Sequence, residues 1–266
     1  MGTMRIRFIE PIGTDTWVQP VAEALQKIAN PGTEIEVVSL RNPHCPYHIE
    51  YHAYEGLVAG DIIKVTRDAG LKGFDAVVVS CFYDPYLREA REVSGNAVVV
   101  GPCQASFETV ATLANKVSVI VGRRKWINHM EERVRHYGYG HMLASFKPVE
   151  LGVEDFQKDP QETERRMIAA AEEAIEKDGA EAIILGCTQE FGFYDTLQQH
   201  LGVPVIDCAF AAFKRAEQLA DLKIRFGWTP SRKWSCEAPP EEAEIQAWGV
   251  FNDDDPPIDS SVTVRA

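Results

Sequence analysis

Residues 76–114 align with residues 182–220 without a gap at an offset of 106. Ala76 meets Ala182, Cys81 meets Cys187 and Val99 meets Val205, and then Ala105, Phe107, Leu113 and Ala114 meet Ala211, Phe213, Leu219 and Ala220. Upstream, Val38-Ser39-Leu40 and Val149-Glu150-Leu151 align at 111, a small loop difference. A period this long is no solenoid repeat; it describes a domain present twice. Short β-branched runs alternate with amphipathic stretches through both copies. Strands are expected near Met4–Glu10, Glu34–Leu40, Asp75–Ser80, Ala97–Gly101, Lys116–Val121, Ala144–Val149, Glu181–Gly186 and Val203–Asp207. Helices are expected over Val18–Ala29, Tyr51–Ala69 and Thr163–Lys177, where apolar residues recur at three and four. Such alternation implies right-handed crossovers and a parallel sheet. The unbroken apolar runs Ala76–Val79 and Ala182–Leu185 fit strands covered on both faces. Eight strand–helix units would also suit a closed barrel, but the repeat divides them four and four.

The expected fold class is therefore α/β: two pseudo-symmetric four-stranded parallel-sheet domains, the active site in the cleft between them, and an irregular C-terminal extension. The first domain takes residues 4–102 plus about 208–222, the second 103–207, and the extension 223–266. Residues 227–248 hold three of the five tryptophans with Pro230, Pro239 and Pro240. That part is expected to pack over a domain face, a neighbouring subunit or the mouth of the cleft. From Asn252 on, Asp253-Asp254-Asp255-Pro256-Pro257 reads as a solvated, mobile end.

Charge removes whole classes of partner. The 266 residues carry 27 Lys plus Arg against 40 Asp plus Glu, a net −13, so no basic face is at hand for nucleic acid or an anionic membrane. Eight of those acids lie in residues 237–264, which contain no Lys or Arg, and the acidity is largely a property of the tail. No apolar run approaches a membrane span of about 18–20 residues, and Met1–Arg5 shows no signal core. Six cysteines with no CxxC pair exclude a disulfide scaffold and the strong zinc and redox signatures. Reduced thiols in a cytoplasm are expected, in a homo-oligomer that acts on a small molecule.

Two of those thiols stand where chemistry is expected. In open parallel sheets ligands bind beyond the carboxyl ends of the strands. Ser80-Cys81-Phe82 and Gly186-Cys187-Thr188 occupy such ends at equivalent positions. Asp84-Pro85 reads as an N-cap and first-turn pair, placing Cys81 just before a helix N-terminus whose free N–H groups favour a thiolate. Cys187 precedes a comparable helix containing Tyr194, Leu197 and Gln198. Opposed thiols suit one reaction class: one removes a proton from a carbon acid while the other delivers a proton to the opposite face. Run both ways, this is racemisation or epimerisation without a cofactor, with strand-end N–H groups near Phe82 and Thr188 holding the developing oxyanion. The bland alternative is a pair of structural cysteines kept by duplication.

A set of spaced motifs resembles a known family. Asp75–Phe82 followed by Asp84-Pro85, then Gly122-Arg123-Arg124-Lys125-Trp126, then Asp178-Gly179-Ala180-Glu181 leading to Leu185-Gly186-Cys187, then Gly202–Asp207 resemble the Asp/Glu/hydantoin racemase superfamily, nearest its hydantoin and allantoin branch. The resemblance spans roughly residues 4–222. It implies two pseudo-symmetric α/β domains, no cofactor and no metal, and a catalytic pair at Cys81 and Cys187. The second motif, Gly186-Cys187-Thr188-Gln189-Glu190, departs from the Gly-Cys-Ala-Gly of that branch and looks more like the amino-acid racemases.

The remaining candidate substrate-binding residues flank the cysteines: Ser80 and Phe82, Gly122 and Arg123 after the fifth strand, and Gly186, Thr188 and Gln189. The turn Pro11-Ile12-Gly13-Thr14 offers N–H groups and a hydroxyl at the pseudo-equivalent edge. Arg123-Arg124-Lys125 could receive a carboxylate or form a solvated helix start. His44, Cys45, His48 and His52 after the second strand could form a metal set, line a lid or decorate the surface. Two other functional readings stay open beside the racemase: a related cysteine-dependent isomerase or decarboxylase, and a non-enzymatic metal or small-ligand binding protein.

Overall fold

The computed structural model describes residues 3–41 and 45–266. Every strand read from the apolar runs is present, at β1 (Met4–Glu10), β2 (Thr33–Leu40), β3 (Ala76–Val79), β4 (Val98–Val100), β5 (Val117–Val121), β6 (Leu143–Pro148), β7 (Ala182–Leu185) and β8 (Val205–Asp207). Between them run α1 (Val18–Ile28), α2 (His52–Leu71), α3 (Leu87–Val93), α4 (Pro102–Val110), α5 (Ile127–His136), α6 (Pro160–Asp178), α7 (Tyr194–Leu201) and α8 (Cys208–Phe226). One sheet orders its strands β4-β3-β1-β2 and the other β8-β7-β5-β6, all parallel. The two orders are the same under the offset of the repeat, so the duplication covers topology as well as sequence.

The chain divides into two compact units: residues 1–80, 85–100 and 213–266 form the first, and residues 81–84 and 101–212 the second. These boundaries differ from those read off the repeat in three ways. Gly101, Pro102 and residues 208–212 fall in the second unit. The short stretch Cys81–Asp84 belongs with the second unit, and the whole C-terminal extension belongs with the first.

In the first unit Ile6, Phe8, Ile9, Ile35, Val37 and Val77–Val79 are buried along three adjacent strands, as both-face coverage requires. Arg7 is fully buried among them. It pairs with Glu36 at 2.6 Å and Asp68 at 2.5 Å and lies over the Phe74 ring at 4.5 Å, so the charge is compensated where it is desolvated. The core of the second unit gathers Val117, Val119, Ile120, Ile183, Ile184 and Leu185 with Phe107, Trp126, Phe156 and Met167. No helix among the described residues is long and apolar enough to cross a membrane.

Residues 227–257 are largely irregular, as expected, but the last part of the extension is not the solvated, mobile end that the acidic run suggested. Residues Ile258–Arg265 form a ninth strand, β9, antiparallel to β2 at the edge of the first sheet. Its side chains alternate between half-buried (Ile258, Ser260, Val262, Val264) and exposed, the period of a strand with one covered face. Arg265 bridges to Glu34 at 2.5 Å, and Arg41 holds Asp255 with both guanidinium N–H arms. Further anchors come from Arg67, bonded to Asp253 and Glu241, and from Arg232, bonded to Ser94 Oγ and to the carbonyls of Arg91 and Gly95. The acidic run Asp253–Asp255 is thus partly spent on arginines. Trp228, Trp234 and Trp248 stay well exposed; arginine contacts, and not tryptophan packing, secure this segment.

Candidate active site

Cys81 and Cys187 lie immediately beyond the C-terminal ends of β3 and β7. Both are half-buried thiols outside any disulfide, packed against the core of the second unit. Both act electrostatically on one buried thiol. Cys208, fully buried at the start of α8, has its thiol pushed well above the ordinary range by burial, and then by Asp207, Cys187, Glu190 and Cys81. Cys103, buried in the first turn of α4, is likewise pushed up by burial and then by Asp84, with Cys81 contributing. Cys103 and Cys208 remain protonated interior thiols, as their position after the fourth strand of each half predicts. Cys81 and Cys187 are left as the pair with solvent access and strand-end placement.

The Cys187 corner is tightly tied. Leu185 ends β7, Gly186 lets the backbone pass against β5, and Thr188–Glu190 form a single 3-10 turn. Cys187 is the N-cap of that turn: the Glu190 N–H donates to the Cys187 carbonyl at 2.9 Å and also faces the sulfur in a capping-box arrangement, while the Glu190 carboxyl accepts from the Cys187 N–H at 3.2 Å. A donor aimed at sulfur is worth most when the sulfur carries charge. Gln157 donates to the Gln189 carbonyl at 2.9 Å, and Asp207 accepts from Gly192 N–H at 3.0 Å. Thr188, Gln189 and Glu190 are all buried.

The Cys81 corner is built differently from the sequence expectation. Asp84 does not cap a helix starting at Pro85; α3 begins only at Leu87, and both Asp84 and Tyr86 sit in the left-handed region, at φ 49° and 54°, which aspartate tolerates through its short polar side chain. The Asp84 carboxylate instead caps α4, accepting from the N–H groups of Cys103 and Gln104 at 2.9 Å each, and it takes the Tyr137 hydroxyl as well. Phe82 is buried and part of the core.

Of the other sequence candidates, Gly122 and Arg123 join the cysteines in the second unit, and Pro11–Thr14 and Ser80 belong to the first. A Cβ on Gly122 would collide with Trp126 and the Leu151 carbonyl, so glycine is required there by packing. Arg123 is half-buried, with Arg124 and Lys125 exposed on the turn that follows. The Pro11–Thr14 turn is less available to a ligand than its sequence implies. Ile12 N–H donates to Glu10 carbonyl, Gly13 N–H donates to Pro46 carbonyl, and Pro11, Ile12 and Gly13 are buried. Just before them Glu10 ends β1, its carboxyl pushed up to about 7 by burial against the lowering effect of Ser80. Cys45 donates to Asp61 at 3.1 Å, and His48 lies against the Tyr51 and Tyr54 rings. The first member of the proposed metal set, His44, lies outside the described residues.

Glu190 and Asp207 went unmarked by the sequence reading, as did the true role of Asp84. The repeat holds the signal: the offset of 106 aligns Asp84 with Glu190 and Gly101 with Asp207. Burial pushes Asp84 and Asp207 from 3.8 up to about 6, against the backbone bonds that each accepts. A carboxyl raised on folding contributes stability that is fully present below its unfolded value and lost as pH rises through the folded one. Melting curves of wild type and Asp207→Asn at pH 4, 5.5 and 7 should therefore show any advantage of the wild type shrinking as pH rises. The change is up to about 3 kcal/mol. A pH-independent difference would contradict the burial account.

Comparisons with known proteins identify the family. The family model for Asp/Glu/hydantoin racemase matches residues 6–216. Hydantoin racemase of Rhizobium meliloti is 35% identical over 217 residues, covering 81% of this chain and 88% of that one. Hydantoin racemase of Paenarthrobacter aurescens is 35% identical over 241 residues, covering 90% and 99%. Among solved structures, allantoin racemase from Klebsiella pneumoniae superposes with a TM-score of 0.84 at 26% identity, covering 93% of this chain and 99% of that one. A duplicated parallel α/β architecture, the spaced motifs and these relatives converge: the chain belongs to the Asp/Glu/hydantoin racemase family and is an isomerase of the racemase type.

Proposed function

We propose that this racemase inverts the stereocentre of a hydantoin-like cyclic ureide, with Cys81 and Cys187 as its two acid/base groups and no cofactor. The observation that carries the reading is the pair itself: two half-buried thiols at repeat-equivalent strand ends, both within electrostatic reach of one buried thiol, Cys208. The carbon at position 5 of a hydantoin bears a proton acidified by the neighbouring carbonyl. One cysteine, as thiolate, takes that proton and becomes a thiol, and the electron pair moves onto the carbonyl oxygen as an enolate. The other cysteine, as thiol, returns a proton to the opposite face and becomes the thiolate, so the next turnover runs in reverse. In this reading N–H groups at the two corners, near Phe82 and Thr188, hold the enolate oxygen, and Arg123 follows β5, the strand beside β7.

The substrate class rests on the hydantoin and allantoin racemases that the chain is similar to. Its test is the decay of optical rotation of single enantiomers. A 5-monosubstituted hydantoin and allantoin are to be compared with aspartate and glutamate, using desalted enzyme with chelator present. The reading expects both cyclic ureides to racemise to zero rotation and the amino acids to be turned over far more slowly. Preference for aspartate or glutamate, or loss of activity to chelator, would overturn it. A cytoplasmic homo-oligomer is the proposed working state, to be checked by the mass of the active species in solution.

A further inference from the structure

The two halves assign their buried carboxyls differently, and the difference falls on Cys187. Each half must satisfy the free N–H groups at the start of the helix that follows its fourth strand, α4 or α8. In the second half the residue before α8 does this itself: Asp207 accepts from Ala209 and Phe210 N–H at 3.0 and 3.2 Å. In the first half the aligned residue is Gly101, which has no side chain to offer. The cap there comes from Asp84, three residues beyond Cys81, reaching across to Cys103 and Gln104. With Asp207 in place, the residue aligned with Asp84 has no helix to cap. That residue is Glu190, three residues beyond Cys187, and its carboxyl turns back onto the Cys187 backbone.

We propose that Glu190 is a positioning residue for Cys187: its carboxyl clasps the Cys187 N–H and so keeps the Glu190 N–H aimed at the sulfur. The inference rests on the cysteine-pair reading above and adds that the two thiols are held unequally. The clasp works without placing a second negative charge beside the thiolate. Glu190 is fully buried, one carboxyl oxygen has no hydrogen-bond partner among the described residues, and burial followed by Asp207 pushes its carboxyl well above the ordinary range. An ionised carboxylate in that position would be desolvated with a lone pair unmet. The titratable groups around it are Asp207 at the end of β8, Cys208 at the start of α8, and Cys187 itself. Asp84, by contrast, spends both oxygens on α4.

The test is the rate of iodoacetamide alkylation at Cys187 and at Cys81 across pH 6–10 in the full-length protein, resolved by peptide mass spectrometry. Glu190→Ala should slow Cys187 alkylation at neutral pH by about tenfold and move its midpoint upward, leaving Cys81 within about twofold. Glu190→Gln keeps an acceptor oxygen without a charge and should restore most of the rate. In turnover, Glu190→Ala should lower kcat more than it raises KM. If Glu190→Ala does not fold, Glu190→Asp, which draws the carboxyl back by one methylene, should show the same selective slowing. Three results would overturn the proposal: unchanged Cys187 alkylation, equal slowing at both cysteines, or a Gln variant as impaired as Ala. Full racemase activity in Cys187→Ser would instead refute the cysteine-pair reading, while the alkylation data would still report on the clasp.

Discussion

Cys81→Ser and Cys187→Ser should each lower racemisation of a hydantoin enantiomer by at least about 10³-fold, within the range a positioned acid/base group supplies. Serine keeps the shape of the side chain, and both positions are half-buried, so the melting temperature should stay within a few degrees of wild type. The loss is chemical: a hydroxyl does not ionise near neutral pH as a thiol does, so the face that the replaced thiol serves loses its acid/base group, and inversion needs both faces. Because each cysteine serves as base in one direction and acid in the other, both variants should fail with both enantiomers. The double variant should be no worse than either single one, as expected when two groups act as one unit. Polarimetry of the two purified enantiomers decides it. Retention of more than a tenth of the wild-type rate in either variant would remove that cysteine from the mechanism.

Gly186→Ala should damage both the fold and the activity. A Cβ at Gly186 would sit 2.6 Å from Val119 Cγ1, 2.7 Å from the Ile120 carbonyl oxygen and 3.2 Å from Val121 Cγ1. The valine methyl could rotate away, but the Ile120 carbonyl cannot, because it already accepts the Gly186 N–H at 2.8 Å. Relief requires β7 to lift from β5 at the residue that carries Cys187. Overpacking of this kind costs about 3 kcal/mol or more, which for a chain of this size lowers the melting temperature by roughly 6–12 °C. Activity should fall further than stability alone predicts, since the displaced residue precedes the thiol. A variant that melts within about 2 °C of wild type with full activity would show that the corner is looser than the contacts imply.

Most of the fold was legible before any coordinates. Buried parallel strands leave unbroken β-branched runs such as Ala76–Val79 and Ala182–Leu185, and the offset of 106 tied them into two copies, which the matching strand orders reproduce. The cysteine pair was legible for the same reason, since a strand end is set by where the apolar run stops. What escaped lay in contacts between distant segments. The strand β9 shows its period of two in Val262-Thr263-Val264, but the acidic Asp253–Asp255 run just before it reads as solvated until Arg41 and Arg67 are seen to hold Asp255 and Asp253. Asp84-Pro85 reads as a local cap, and only the fold shows that the carboxylate serves a helix eighteen residues on. Glu190 and Asp207 acquire meaning only when one half is compared with the other. The Pro11–Thr14 turn was read as a donor of free N–H groups, yet Glu10 and Pro46 carbonyls accept two of them.

The central claim is that inversion passes between two thiols, and early-time proton NMR in deuterium oxide tests it most directly. A single hydantoin enantiomer is converted by wild-type enzyme to a few per cent, and the two enantiomers are then separated. Two-thiol transfer predicts deuterium at the stereocentre of the newly formed enantiomer, while recovered starting enantiomer keeps its proton. Deuterium appearing equally in both from the first turnovers would mean that a single base serves both faces, and would contradict the account.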